Sequence, residues 1–208
     1  MSPRNVERDQ QMREIRKDHI LDAALQAMAK RGIDSVSIKD IAIEAQLSIG
    51  NVYNYFNSKD EILGEVLSRG QIEYGKMITS YSMLDIDPRD KLTEICTIWL
   101  NTSINWAFTI MLESIRTNET VNPEIREAAT RRFTENLKPI AEIMQQGQAD
   151  NVIIDGDTMQ LALYFVSLIQ GLTLQMAPGY EIPIRIEPEN IIRLFLQKNS
   201  LTCDKYYC

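Results

Sequence analysis

The sequence predicts an all-α protein of about nine helices, with a three-helix N-terminal head joined to a larger C-terminal helical body. Three observations predict it. Apolar residues recur at i, i+3 and i+4 along most of the chain. Serine, aspartate or proline stands where many of these runs begin, and glycine or proline closes several of them. No segment reads as a credible strand, and no internal repeat is visible.

The elements follow in order. Ile20, Leu21, Ala24, Leu25, Ala27 and Met28 make one apolar face, and Gly32 ends that helix as a C-terminal glycine does. Ser37 is placed to cap a second helix, with Asp40 completing a capping box and Ile38, Ile41, Ala42 and Ala45 as its apolar side. Gln46-Leu47-Ser48 interrupts, and a short third helix is expected from Ser48 to Phe56. Ser58 to Glu61 has the capping-box pattern and opens a fourth helix to about Tyr81. Pro88 suits the first position of a fifth, which carries Leu92, Ile95, Cys96, Trp99, Leu100, Ser103 and Trp106 on one side. A sixth is expected around Phe108 to Arg116. A seventh runs from Asn122-Pro123 to about Gly147 and contains Pro139, which should kink it. Asp157 opens an eighth to about Met176, closed by Pro178-Gly179. After a loop over 180–187, Pro188 opens a last helix through Lys198. The expected organisation is a flexible arm over 1–15, a head over 16–60, a body over 61–200 and a tail over 201–208.

Composition narrows the function classes. The chain has 208 residues, 44% hydrophobic and 25% charged, which suits a soluble domain able to bury a core. Cys96, Cys203 and Cys208 form neither a disulfide framework nor a metal knuckle. The N-terminal stretch is polar, and the most apolar run, Leu161 to Leu174, is interrupted by Ser167, Gln170 and Thr173. No membrane partner and a cytoplasmic location are therefore expected. There is no glycine-rich phosphate loop, nucleophile elbow or metal-spaced cluster. His19 reads as a surface or packing residue. No catalytic residue, metal or cofactor is expected.

The net charge is −7, but residues 1–60 hold nine Lys/Arg and nine Asp/Glu, so all the excess acid lies in the body. The informative stretch is SIKDIAIEAQLSIGNVYNYF, Ser37 to Phe56. Two short helices separated by three or four residues, with Ala42 and Ala45 at their crossing, can hold the second helix clear for a DNA major groove. Its start, Ser48-Ile49-Gly50-Asn51, offers free backbone N–H groups to a phosphate, and Gly50 permits close approach. Val52 and Phe56, four apart, anchor it. Asn51, Tyr53, Asn54 and Tyr55 occupy the remaining surface, where asparagine pairs with adenine and tyrosine meets phosphate or a thymine methyl. Lys59 follows at the next helix start, placed for phosphate. Ser37 and Lys39 complete the candidate DNA-binding set. Arg4, Arg8, Arg13, Arg16 and Lys17 read either as a basic arm or, because acids are interleaved, as a solvated tail.

With Tyr53, Tyr55, Phe56, Ser58, Lys59, Asp60 and Leu63 in this order, and Gly32, Ser37 and Ile41-Ala42 before them, the run resembles the signature of TetR-type repressors. The resemblance covers about 55 residues, Arg16 to about Gly70. Asn54 departs from it, standing where a larger or basic residue is common, and so does Ile49, standing where a polar base-reader is common. The resemblance implies a helix-turn-helix head, an operator in double-stranded DNA, a small-molecule effector held in the body, and a homodimer through the last two helices.

The body accommodates those expectations. The eighth helix is apolar nearly all round, so it must be buried on all sides. The expected dimer residues are Leu168, Gly171 and Leu172, with Ile191, Ile192 and Phe195 from the last helix. Trp99, Trp106, Phe108, Met111, Tyr164 and Phe165, with Met144, suggest an apolar ligand lining, and Asn101, Asn105 and Glu113 its polar contacts. The expected effector is hydrophobic or amphipathic, and it would release a palindromic operator by favouring another tilt of the fourth helix. The alternative reading is a helical ligand-binding or adaptor protein without DNA binding.

Overall fold

The computed structural model describes residues 6–179 and 183–198. Among the described residues there are nine α-helices: α1 Val6–Arg31, α2 Ile38–Glu44, α3 Ile49–Tyr53, α4 Lys59–Ser82, α5 Pro88–Asn101, α6 Asn105–Thr117, α7 Pro123–Ala149, α8 Thr158–Leu174 and α9 Pro188–Ile192. A 3-10 turn, Arg193–Phe195, follows α9. Backbone contacts divide the chain into two compact units, Met1–Gly70 with Ile110–Ala129, and Gln71–Thr109 with Thr130–Cys208. The tail cysteines Cys203 and Cys208, and Arg4 of the expected arm, lie outside the described residues.

In the first unit α1 packs on α2 and α2 on α3. The buried residues include the anticipated face of α1 and Ile41, Ala42 and Ala45 of the α2 segment. Gly32 ends α1 with φ +84°, its N–H donating to the Met28 carbonyl at 2.8 Å. The capping box at α2 forms, with Asp40 N–H donating to Ser37 Oγ at 3.3 Å and Ser37 N–H to Asp40 Oδ2 at 2.9 Å. At α4 the pattern is altered. Glu61 N–H donates to Ser58 Oγ at 3.0 Å, but the Glu61 carboxylate accepts from Asn57 N–H at 2.7 Å. Helix α1 begins at Val6, so the flexible arm expected over 1–15 is helical from that residue onward. Polar residues fill this first part of α1, and its Arg13 finds a partner on the α3 segment, as described below.

The second unit is built on α5, α8, α9 and the parts of α4, α6 and α7 that fall within it. Ile95, Cys96, Ile140, Met144, Phe165 and Ile169 are at its centre. Lys91 is 1% exposed, its ammonium donating to the Ser82 carbonyl at 3.1 Å and to Gln146 Oε1 at 2.7 Å. The eighth helix is capped by Asp157, which accepts from Gln160 N–H at 2.8 Å. It is not buried on all sides: Leu161, Ala162, Phe165, Val166, Ile169 and Thr173 are inside, whereas Leu163, Tyr164, Ser167 and Gly171 are exposed.

The last helix stops short of the expected Lys198. Leu196 is extended and forms an antiparallel bridge with Ile153. Ile154 N–H donates to the Phe195 carbonyl at 2.9 Å and Gln197 N–H to the Val152 carbonyl at 2.8 Å. These bonds, lateral to the chain, satisfy the backbone in place of further helical turns. The bridge lies close to Gly147, where a Cβ would stand 2.3 Å from Ile153 Cγ1.

Candidate nucleic-acid interface

The short α3 is positioned by what surrounds it. Five residues cannot sustain a helix by themselves. Its one buried side chain is Val52, and Phe56 three residues beyond Tyr53 is buried as well. The turn before it is set by Gln46, whose φ of +55° reverses the chain, and the Leu47 N–H donates to the Ala42 carbonyl at 2.8 Å. His19 Nε2 lies 2.8 Å from the carbonyl of Ala45, tying α1 to the same turn. At the start of α3, Ser48 Oγ accepts from Asn51 N–H at 3.2 Å.

The candidate residues then separate by surroundings. Ser48, Ile49, Gly50, Asn51, Tyr53 and Asn54 are exposed, and Tyr53 retains 53% of its surface. Tyr55 is half-buried, with the Arg13 guanidinium 4.9 Å from its ring centroid. Arg13 also donates to the Asn54 carbonyl at 3.3 Å, satisfying one of the acceptors at the C-terminal end of α3. Lys59 is half-buried and donates to the Ile33 carbonyl at 3.0 Å. Lys17 pairs with Glu65 at 2.8 Å and lies 5.7 Å from the Phe56 ring centroid. Arg13 and Lys17 thus brace the α3 segment from within the unit. Lys39 is exposed, while the Ser37 hydroxyl is committed to the α2 cap. Two aspartates near this surface are held in the charged form. The side chains of Thr120 and Asn118 lower the Asp34 pKa, and hydrogen bonds from Ser37 lower that of Asp40.

Sequence reasoning missed the roles of Gln46 and Arg13. No glycine marked the left-handed turn, and Arg13 partners residues some forty positions away.

In the second unit, the expected ligand-lining residues are only partly brought together. Tyr74, which the sequence did not single out, stacks on Trp99 with centroids 4.4 Å apart and stands 6.1 Å from Phe108. Asn105 is buried and donates to the Trp99 carbonyl at 2.6 Å. Burial raises the Tyr74 phenol pKa, against the opposing effect of its hydrogen bond with Asn105. The buried Trp99 Nε1–H has no acceptor among the described residues. Trp106 is buried, and Phe165 sits in the core edge-on to Phe195 at 5.7 Å. Tyr164 is 56% exposed, so it does not belong to an interior lining. Met111 is buried and belongs to the first unit. Asn101 and Glu113 are exposed, the latter paired with Arg116 at 3.3 Å.

The expected dimer residues also divide. Gly171 is exposed and Leu168 and Leu172 are half-buried. Ile191 and Ile192 of α9 and Phe195 of the 3-10 turn are in the unit's own core, whereas Leu194 is 63% exposed. Among the described residues no group of His, Cys, Asp or Glu is arranged to hold a metal, and no single helix is long and apolar enough to cross a membrane.

Comparison with known proteins agrees with the head. Residues 20–66 match the family described as bacterial regulatory proteins, tetR family. The HTH-type transcriptional regulator LuxR of Vibrio harveyi is 32% identical over 80 residues, 38% of this chain and 39% of LuxR. The HTH-type transcriptional regulator PksA of Bacillus subtilis (strain 168) is 23% identical over 204 residues, 91% of each chain. Among solved structures, AibR in complex with isovaleryl coenzyme A and operator DNA shares the fold with a TM-score of 0.64 at 18% identity, covering 86% of this chain and 94% of AibR. The segment matched in the family is the one that builds α2, the turn at Gln46 and the exposed α3, and over these residues the chain is similar to bacterial regulatory proteins of the tetR family.

Proposed function

We propose that the chain is a homodimeric repressor that binds a palindromic operator through α3 and leaves it when a hydrophobic or amphipathic small molecule binds the second unit. The division of α3 into a buried Val52 and an exposed Asn51, Tyr53 and Asn54 carries this reading. Asn51, Tyr53 and Asn54 read base edges, and Ser48 and Gly50 at the helix start meet a phosphate. Ile49, 41% exposed, suits a thymine methyl. Ser37, Lys39 and Lys59 flank them as backbone contacts, and Tyr55 supports α3 from beneath. The exposed side of α8, with Tyr164, Ser167 and Gly171, and Leu194 beyond it, supplies the partner-facing surface in place of Ile191, Ile192 and Phe195. The Tyr74–Trp99–Phe108 cluster is the effector site, and the Trp99 indole N–H favours a ligand with a hydrogen-bond acceptor on an apolar body. The AibR complex with isovaleryl coenzyme A and operator DNA supports the general scheme. Such a regulator acts on chromosomal DNA, hence in the cytoplasm, and needs no enzymatic activity.

The test is binding of the full chain to a pool of mixed duplexes, followed by fluorescence anisotropy. A phosphate-contacting protein loses affinity by about a thousandfold or more between roughly 50 and 200 mM salt when six or more phosphates are engaged. Absence of binding at low salt, or affinity indifferent to salt, would sink the reading.

A further inference from the structure

The second unit carries a groove that neither the operator surface nor the aromatic cluster uses. It runs between the later part of α4 and the middle of α7 and is an open concavity of about 560 Å³. That is within the roughly 300–1,000 Å³ of small-molecule sites. Ile72, Lys76 and Thr79 line it from α4, Met83 from the turn just after that helix, and Arg132 and Glu135 from α7.

Three features distinguish it from an ordinary gap between helices. The first is charge. The body holds the entire acidic excess of the chain, yet this concavity brings together two cations and one carboxylate. Among the described residues neither Lys76 nor Arg132 is in an ion pair, although the two come from different helices and line the same space. The second is rigidity. Asn136 Nδ2 donates to the Gln71 carbonyl at 2.8 Å, and a Cβ on Gly75 would stand 2.5 Å from Asn136 Oδ1. The missing side chain lets the two walls approach, and the asparagine fixes them there. The third is the apolar surface beside the cations. Ile72 is 44% and Met83 79% exposed. From Lys76 to the helix end at Ser82, next to Met83, the rise is about 9 Å at 1.5 Å per residue, the reach of a medium-length alkyl chain.

We infer that this groove binds an amphipathic organic anion, with a carboxylate or phosphate headgroup against Lys76 and Arg132 and an alkyl portion along α4 towards Met83. Opposite charge at two points fixes the head, the Thr79 hydroxyl adds a donor beside it, and the exposed apolar side chains take the tail. The site is independent of operator binding, so either assignment can fail without the other.

Isothermal titration calorimetry on the full chain tests it, with decanoate, decyl phosphate and decanol as probes and with inorganic phosphate alone. Decanoate or decyl phosphate should bind, and whichever binds more tightly identifies the headgroup. Decanol and inorganic phosphate should each be at least about tenfold weaker, since each lacks one half of the ligand. Lys76→Gln and Arg132→Gln should each raise Kd by about fivefold, as expected for a partly exposed charge contact. Lys138→Gln, on α7 outside the groove, should change Kd by less than about twofold. Glu135→Gln removes the opposing carboxylate and should tighten binding, a gain that misfolding cannot produce. No heat with either amphipathic anion overturns the inference. So does an affinity unaltered in Lys76→Gln and Arg132→Gln, or loosened in Glu135→Gln.

Discussion

Val52→Ala separates the packing of α3 from its contacts. Val52 is wholly buried and is the one buried side chain in the helix. Replacing it removes two methyl groups, about 1.6 kcal/mol at roughly 0.8 kcal/mol per buried carbon. The cavity left behind adds about 1 kcal/mol where the surroundings cannot collapse fully. A loss of about 2.5 kcal/mol in a unit of fewer than 100 residues lowers its Tm by about 10 °C or more. The companion is Tyr53→Ala. Its ring is 53% exposed, so stability should stay within about 0.5 kcal/mol of the parent. Circular dichroism melting reads the first quantity and fluorescence anisotropy with operator DNA the second. Val52→Ala should lower both Tm and affinity. Tyr53→Ala should leave Tm in place and weaken operator binding about tenfold. A Val52→Ala protein that melts within about 1 °C of the parent and binds DNA equally well would refute the claim that this side chain fastens α3.

Gln46→Gly relieves a left-handed residue in the turn before α3, and chemical denaturation should report a gain of about 0.5–1 kcal/mol, net of the greater chain entropy of glycine; a loss of stability would contradict it. Asp40 has its folded pKa below the ordinary 3.8, so its contribution is complete above that pH and is lost as pH falls through the folded value. Asp40→Asn should therefore flatten the acid limb of a stability-against-pH curve, and an unchanged limb would count against the Ser37–Asp40 cap. Cys96 is buried, and that burial, followed by the charge of Glu189, pushes its thiol up to about 12. In a Cys203→Ser/Cys208→Ser background, Cys96 should resist a thiol reagent at pH 8 until the protein is unfolded, and rapid native labelling would contradict its burial.

What the sequence revealed follows from how local each signal was. Gly32, the Ser37 cap and the Asp157 cap are written within one helical turn and appear where expected. The Val52–Phe56 anchor is a four-residue spacing and is equally legible. Gln46 was opaque because a left-handed glutamine carries no composition signal. Arg13 and Lys17 read either as part of a basic arm or as a solvated tail because their partners, Asn54, Tyr55 and Glu65, are distant in sequence. The last helix ends before Lys198 at the bridge between Leu196 and Ile153, a pairing no periodicity encodes. Apolarity nearly all round α8 predicts burial on all sides, whereas its Tyr164 side is exposed. Lys91 likewise gives no warning in sequence that its ammonium will be enclosed by Ser82 and Gln146.

Selection of binding sites from a library of random duplexes addresses the central claim most directly. The account requires enrichment of one inverted repeat whose half-sites lie about 34–36 Å apart, or a multiple of that spacing, with Tyr53→Ala losing the enriched sequence. A library that emerges without a shared motif, or a motif that Tyr53→Ala recovers unchanged, would contradict it.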